Sequence, residues 1–182
     1  MAEVHIVERA RFLRAGGYTR RFHGWRTLKD DPVGLHSYNV ANIVLLIRPE
    51  CSKELVVAAV QHDSAEWRSG DVPSPVKKSV PGLKEAMDLH EAAIFDAAGI
   101  DDPVHGLSEE EYRILKIADY IDGMMFCIQE RRMGNTFMDE PFSNFVSYVT
   151  KLMEGTPFGQ EHMLYNALCD EWVAFGGTYV GQ

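Results

Sequence analysis

Helical spacing of apolar residues is the feature that most constrains the fold of this chain. In residues 36–47 the apolar side chains recur every three or four positions, which places them on one face of a helix. They are Val40, Ile43, Val44 and Ile47. This helix is predicted to end before Pro49, because a proline disfavours helical conformation in the residue that precedes it.

The same periodicity continues along the chain and predicts an all-α fold of about six to seven helices. The other predicted helices begin near Val4, after the N-cap Ser52, at Leu83, after the capping box of Ser108 and Glu111, and near residues 139 and 159. Residues 16–34 are rich in Gly, Arg and aromatics and contain Pro32, and residues 67–82 hold three prolines and two glycines, so both are predicted to be loops. No hairpin dipeptide separates alternating segments, so no sheet is expected. Residues 1–182 are predicted to form a single helical-bundle domain.

Charge and cysteine content exclude several classes of protein. The formal net charge of −9 argues against binding of a nucleic acid polymer, because such proteins normally carry a basic surface. No apolar run approaches the roughly 18–20 residues that a membrane span needs, and the charged N-terminus does not resemble a secretory signal. The three cysteines are far apart, as expected for reduced thiols. We therefore expect a cytoplasmic protein that binds no membrane.

A polar helix end at residues 62–66 departs from the apolar pattern. The apolar residues 56–60 lead directly into His62 and Asp63, and Glu66 follows one helical turn later. Residues four apart lie on the same helix face, so His62 and Glu66 could approach one point. Taken alone, the pair His62-Asp63 is equally compatible with a capped helix end whose polar groups are solvated.

Two further residues could complete a metal site with this helix end. His36 begins the second predicted helix, and Asp119 lies in an otherwise apolar helical stretch. A carboxylate in such a stretch is costly unless a cation or hydrogen bonds compensate it. With His62 and Asp63 these residues give two imidazoles and two carboxylates. This mixed nitrogen and oxygen set suits Zn, Mn, Co or Fe and leaves positions open for water.

The order of these residues resembles that of the HD-domain metal-dependent phosphohydrolases. The segment HDSAEWRSGDVPSPVK is similar to the H-D-x-x-E-x-x-x-G-D-x-P-x-P-x-K segment of bacterial 5′-deoxynucleotidases and of their small phage-type relatives, which include dATP triphosphohydrolases. RRFHGW, VGLHSYNVANI and LKIADYID resemble the family's substrate loop, first ligand helix and last ligand stretch. The resemblance covers about residues 18–130. It departs at Leu35, where the family usually has a glutamate that is not a metal ligand.

The resemblance implies an HD-domain helical bundle in which His36, His62, Asp63 and Asp119 hold a divalent metal ion. Asp63 is also expected to be catalytic. Glu66, one turn from His62, could orient or deprotonate a water at the metal. A Mg ion that accompanies the substrate phosphates is a further possible cofactor.

Seven residues are predicted to contact the substrate. Arg21, Lys77 and Lys116 could hold phosphate oxygens, although Lys116 is equally compatible with a surface lysine whose stem packs on the protein. Phe22 or Trp25 could stack on a base, and Pro75 could cover its other face. Local packing is the alternative for these aromatic residues. Asp71 could accept a hydrogen bond from the sugar 3′-OH, and in the family this region favours deoxyribose.

The implied reaction is hydrolysis of a deoxynucleotide at the phosphorus attached to the 5′ oxygen. A monophosphate would give deoxynucleoside and phosphate, and a triphosphate such as dATP would give deoxynucleoside and triphosphate. The short chain and the compact RRFHGW loop favour the triphosphate. The alternatives are a non-catalytic nucleotide-sensing HD module and an HD phosphodiesterase on another phosphoester. By analogy with relatives, a homo-oligomer is expected, either a dimer or a hexamer.

Overall fold

The helical periodicity of the sequence corresponds to helices throughout the computed structural model, which describes residues 4–179. Within that range seven helices have nine or more residues. They are α1 (Ile6–Gly16), α2 (Val33–Ile47), α3 (Lys53–Gln61), α6 (Leu83–Ala97), α7 (Glu109–Arg132), α8 (Asp139–Met153) and α9 (Gln160–Ala174). The shorter elements are α4 (Glu66–Ser69), α5 (Ser74–Ser79), a 3-10 turn (Thr136–Met138) and two strands, β1 (Arg20–Arg21) and β2 (Asp31–Pro32). The predicted all-α class is confirmed.

Helix α7 is the centre of the bundle and packs against α2, α3, α8 and α9. It begins at the predicted capping box, in which the Glu111 N–H donates to Ser108 Oγ and the Ser108 N–H donates to Glu111 Oε2. Its middle is fully buried through Leu115, Ile117 and Ile121, each 0% exposed. Burial of this stretch at the centre of the core fixes the position of Asp119, which lies on the same helix.

The segment 16–34 is not only a loop, as the sequence predicted. Strands β1 and β2 pair antiparallel through Arg20 with Pro32 and Arg21 with Asp31, and α2 already begins at Val33. Two-residue strands are too short to show alternation, and a proline in one of them hides the signal further. The short ribbon holds Arg21 against the start of the helix that carries His36.

The second predicted loop, residues 67–82, also contains helix. Helix α4 continues to Ser69 and ends at Gly70, whose positive φ of 77° favours glycine. Helix α5 follows and places Pro75 in its first turn, where the missing N–H costs nothing. The prediction of a continuous helix through His62 and Glu66 is wrong as well. Helix α3 ends at Gln61, residues 62–65 form a turn, and Glu66 begins α4.

A small second core holds this turn in place. Ala65 is 0% exposed and packs in a cluster with Phe12 of α1 and Phe95 of α6. Gly16, at the end of α1, lies so close to the turn that a Cβ there would be 2.7 Å from the Ser64 Cα. The position of the turn therefore depends on close packing from two neighbouring helices.

No helix in the described part of the chain is long and apolar enough to cross a membrane. The single domain spanning residues 1–182 stays a prediction, because residues 1–3 and 180–182 lie outside the described range.

Candidate active site

His36 lies at the inner end of the site and is held by one carboxylate. Helix α2 places it in the core, where it is 0% exposed. Its Nδ1 lies 2.7 Å from Asp122 Oδ2. Because a carboxylate only accepts, Nδ1 carries the proton and donates it to Asp122. Nε2 has no hydrogen-bond partner among the described residues, so the bond to Asp122 orients the ring and leaves Nε2 available to an ion.

His62 and Asp63 approach this free nitrogen from the turn after α3. Asp63 Oδ2 is 3.5 Å from His36 Nε2, and Asp63 Oδ1 is 3.3 Å from His62 Nε2. One ligand atom from each of the three residues lies within 4.8 Å of the others. Such a group could hold a metal ion.

Asp119 completes the predicted set from α7. Its Oδ1 lies 3.3 Å from His36 Nε2, while its Oδ2 contacts Lys116 Nζ. The four predicted metal ligands therefore come together from three parts of the chain.

The four predicted ligands fit a divalent cation, because two of their nitrogen atoms lack a partner among the described residues. The Nε2 atoms of both His36 and His62 are buried and lack a hydrogen-bond partner in the described structure. Unpaired buried nitrogen atoms beside two carboxylates are costly unless an ion satisfies them. Imidazole nitrogen with carboxylate oxygen is a combination that suits Zn and related transition metals.

The protonation states follow from the same burial and charges. Burial and Arg21 oppose protonation of His36, but the neighbouring Asp119 and Asp122 outweigh them and raise its pKa to about 9. Burial lowers the pKa of His62 despite the nearby carboxylates. Burial also opposes ionisation of Asp119, yet Lys116 and His36 hold its pKa well below the usual range. In the absence of an ion, His36 is therefore protonated at neutral pH, while His62 is neutral and Asp119 is ionised.

Glu66 lies beside this group and is also unsatisfied. It is 6% exposed, and its Oε2 is buried without a hydrogen-bond partner among the described residues. Burial, together with the negative charges of Asp63 and Asp71, raises its pKa to about 10. A carboxyl group poised at a cleft, with no structural hydrogen bond on one oxygen, is a candidate for proton transfer.

A cleft of about 130 Å³ begins at these carboxylates and contains every predicted substrate residue. Its lining includes Arg21, Phe22, Trp25, Asp71, Pro75, Lys77 and Lys116, together with Asp63, Glu66 and Asp119. The structure therefore brings the predicted substrate residues and the predicted catalytic residues to one place.

Arg21 has more carboxylate neighbours than a residue that only binds phosphate would need. It is buried, with Nη1 3.0 Å from Asp31 Oδ2 and 3.6 Å from Asp122 Oδ2, and Nη2 3.6 Å from Asp119 Oδ1. Burial works against the cation, but these carboxylates outweigh it and raise the pKa of Arg21. Arg21 thus links the strand ribbon to α7, in addition to lining the cleft.

Phe22 forms part of the apolar floor of the cleft. It has a φ of 55°, an uncommon conformation for a bulky residue. Its ring stacks on Phe126 with a centroid distance of 4.7 Å and meets Phe145 edge-on at 6.1 Å. The backbone strain, about 1–3 kcal/mol, is offset by this packing. One face of Phe22 is therefore used by the protein, while Trp25 lies half-buried at the cleft wall.

A second, wider cleft of about 640 Å³ adjoins the first at the metal-ligand group. The two share Asp63, Ser74, Lys77, Lys116, Tyr120 and Tyr148. Four lysines line the wider cleft: Lys77, Lys84, Lys116 and Lys151. Several carboxylates accompany them, and Lys84 pairs with Asp88 while Lys77 lies 3.8 Å from Glu91.

Several site residues were missed by sequence reasoning. Asp122 could have been found, because it lies three residues after Asp119 in the same buried helical stretch, where a carboxylate needs a partner. Asn144 and Phe145 on α8 gave no signal, since they lie beyond the sequence motifs at residues 18–130 that were compared with the family. Leu35, the one departure from the family pattern, lines a different groove, on the side of α2 that faces Met125.

An all-helical bundle with two histidines and two aspartates gathered in this order at the end of a cleft defines an HD-domain phosphohydrolase. Within that class, residues 11–157 match the family of YfbR-like 5′-deoxynucleotidases. The match spans most of the chain, so the protein belongs to this family and is a deoxynucleotide phosphohydrolase. The family predicted from the sequence motifs is confirmed.

Solved structures share the fold at low sequence identity. An HD-domain phosphohydrolase from Listeria innocua is 20% identical, covers 92% of this chain and 90% of its own, and has a TM-score of 0.71. The cyanophage S-2L HD phosphohydrolase DatZ, bound to dA and one catalytic Zn²⁺ ion, is 19% identical with 96% and 98% coverage and a TM-score of 0.63. A protein from Pyrococcus horikoshii OT3 is 20% identical with 91% and 99% coverage and a TM-score of 0.66. A comparison with curated proteins gives no significant match.

Proposed function

We propose that this protein hydrolyses deoxynucleotides at the phosphorus attached to the 5′ oxygen, using a divalent metal ion held by His36, His62, Asp63 and Asp119. One observation carries the proposal. The buried Nε2 atoms of both histidines have no hydrogen-bond partner within the described chain, and they face carboxylates where two clefts meet. Zinc is the favoured ion, because the donor set suits it and because the related DatZ binds a catalytic Zn²⁺.

The residues around the ion have separate roles. When bound, a divalent cation would polarise a phosphoryl oxygen and lower the pKa of water at the site. The positive charge of a bound cation would favour the ionised form of Glu66, and the carboxylate would then accept a proton from the attacking water as the bond from oxygen to phosphorus forms. The bond from phosphorus to the 5′ oxygen breaks, and that oxygen takes a proton to give the deoxynucleoside. Phosphate or triphosphate is the other product.

The cleft suggests how the substrate lies. Phe22, Trp25 and Pro75 accommodate the base at the apolar end, as predicted from the sequence. Asp71, whose Oδ2 lies 3.7 Å from His23 Nδ1, accepts a hydrogen bond from the sugar 3′-OH in this arrangement. Lys77 and Lys116 lie where the two clefts meet and neutralise the phosphate that is attacked.

The wider cleft supports the triphosphate as substrate. Phosphates beyond the first would extend away from the base and into the lysine-lined space. Lys151 is exposed and forms no ion pair in the part of the chain that is described, so its charge is available. We expect Lys151→Ala to raise KM for dATP several-fold and to leave dAMP hydrolysis unchanged. Lys53→Ala, at an exposed lysine at the start of α3, is the matched control.

The decisive experiment is a substrate and metal panel. Deoxynucleoside mono- and triphosphates and the matching ribonucleotides are incubated with Zn²⁺, Co²⁺, Mn²⁺ or Mg²⁺, and phosphate, pyrophosphate and triphosphate are separated. We expect a single cleavage next to the 5′ oxygen and a preference for deoxyribose. Pyrophosphate as product would place the attack elsewhere, and tight binding without turnover would instead indicate a nucleotide-sensing module.

We further infer a cytoplasmic homo-oligomer, either a dimer or a hexamer. Exposed apolar side chains at Leu35, Tyr38 and Met125 line a groove of about 730 Å³ beside α2, and burial between subunits would remove them from water. Light scattering coupled to size-exclusion chromatography tests this, and a monomer at micromolar concentration would reject it.

A further inference from the structure

One face of α8 forms a wall of the first cleft. This wall contains none of the predicted metal ligands. Its four lining residues are spaced as positions i, i+3, i+4 and i+7 of a helix, so they form one stripe. They are Pro141, Asn144, Phe145 and Tyr148. This stripe lies within residues 11–157, which match the family, but outside the motifs on which the sequence predictions rest, and none of its residues was assigned a catalytic or ligand role above.

Asn144 is an uncharged polar residue of this cleft without a partner in the described part of the protein. Its side-chain amide is half-buried and makes no hydrogen bond to any residue that the structure describes. The charged groups of the cleft have neighbours of opposite charge, such as Asp31 for Arg21 and Asp119 for Lys116. Because the amide is only half-buried and lines the cleft, its donor and acceptor are available to a ligand.

The surroundings of Asn144 indicate what kind of ligand group would satisfy it. The next residue, Phe145, meets Phe22 and Tyr120 at centroid distances of 6.1 Å each, which gives a continuous aromatic wall. Aromatic side chains accept a planar base by stacking or edge-to-face contact, and such contacts are possible with every base. A neutral amide on the same wall offers one donor and one acceptor side by side.

We propose that Asn144 recognises the edge of the nucleobase and favours adenine. Adenine presents an amino donor next to a ring-nitrogen acceptor, and a bidentate pair with an asparagine or glutamine amide is its preferred side-chain contact. This inference rests on the proposed function, because the base enters the cleft only when the phosphate lies at the metal end. It adds a residue that discriminates between substrates with identical phosphate chemistry.

The test compares base-bearing and abasic substrates in the metal-loaded enzyme. For Asn144→Leu we expect kcat/KM on dAMP or dATP to fall about 10–100-fold relative to kcat/KM on deoxyribose 5-phosphate, the loss of one bidentate contact. Asn144→Asp keeps the acceptor but loses the donor, so part of the adenine preference should remain. Asn166→Leu is the matched control, since Asn166 is an exposed asparagine on α9 that lines neither cleft.

Two results would overturn the inference. If Asn144→Leu lowers the dAMP and deoxyribose 5-phosphate values equally, the residue is structural. If the order of preference among the four bases is unchanged, the amide does not contact the base. Calorimetric binding of 2′-deoxyadenosine to the wild type and to Asn144→Leu gives a second reading, which stands even if the wild type releases no phosphate from any deoxynucleotide. Equal affinities there would sink the proposal.

Discussion

His36 and Asp122 form a buried pair in which the imidazole Nδ1 donates to the carboxylate across 2.7 Å. This hydrogen bond orients Nε2 towards Asp63 and Asp119, and it leaves the carboxylates of both free to bind an ion. Hydrogen bonds of this kind fix the tautomer and ring orientation of metal-ligating histidines and make them better donors. Asp122 is therefore expected to act through His36 and not by touching the metal ion or the substrate.

Loss of the Asp122 carboxylate should weaken metal binding. We expect Asp122→Ala to reduce affinity for Zn²⁺ or Co²⁺ by about 10–100-fold, measured by competition with a chelator. Asp122→Asn keeps an acceptor for Nδ1 and should lose less. Asp170→Asn, at an exposed aspartate on α9, is the control. Equal affinity in Asp122→Ala and wild type would show that Asp122 does not position the ligand.

Metal affinity should rise with pH through the neutral range. The metal ion needs neutral His36, whose pKa is raised to about 9 in the metal-free protein, so binding below that pH releases one proton. Burial lowers the pKa of His62, so it adds no proton there. The dissociation constant for Co²⁺ should therefore fall about tenfold per pH unit between pH 7 and 8. Calorimetry in buffers of different ionisation enthalpy should detect the released proton, and a pH-independent affinity would contradict the prediction.

Replacing Glu66 should abolish most of the activity without removing the metal ion. We expect Glu66→Gln to retain the metal ion, as measured by elemental analysis, and to lose at least about 100-fold in kcat, the usual contribution of a general base. Unchanged turnover would reject the assignment.

Asp63→Asn should instead lower metal occupancy, because Asp63 is a predicted ligand, and full occupancy in that variant would reject the ligand set.

Glu66→Gln should also stabilise the metal-free protein at alkaline pH. Burial raises the Glu66 pKa from 4.5 in the unfolded chain to about 10 in the folded one. Folding therefore favours the protonated carboxyl, and that stability is lost as pH rises between these values. Glutamine is neutral at every pH. Glu66→Gln should raise Tm by at least about 2–4 °C at pH 8, the shift expected per kcal/mol for this size, and by much less at pH 5.

The sequence predicted those features that depend on local pattern and motif. Helix α7 followed from its capping box and apolar repeat, and the predicted ligands His36 and Asp119 followed from motifs on separate helices. The break between α3 and α4 was not predictable, because the turn at residues 62–65 is held by contacts from α1 and α6 that the local sequence does not reveal. Likewise, nothing near Phe22 indicates a positive φ, since the packing that compensates it comes from α7 and α8.

Gly123 on α7 allows the Phe145 ring of α8 to pack closely against α7. A Cβ at Gly123 would lie 2.5 Å from the Phe145 ring, so alanine cannot be accommodated without moving that ring. We expect Gly123→Ala to destabilise the protein by about 1–3 kcal/mol, the range for overpacked cores, and to raise KM for deoxynucleotides, because Phe145 lines the cleft. Chemical denaturation and steady-state kinetics measure the two effects. Adding Phe145→Leu should recover stability by making room, although KM stays high. Additive destabilisation in the double variant would show that the two residues do not clash.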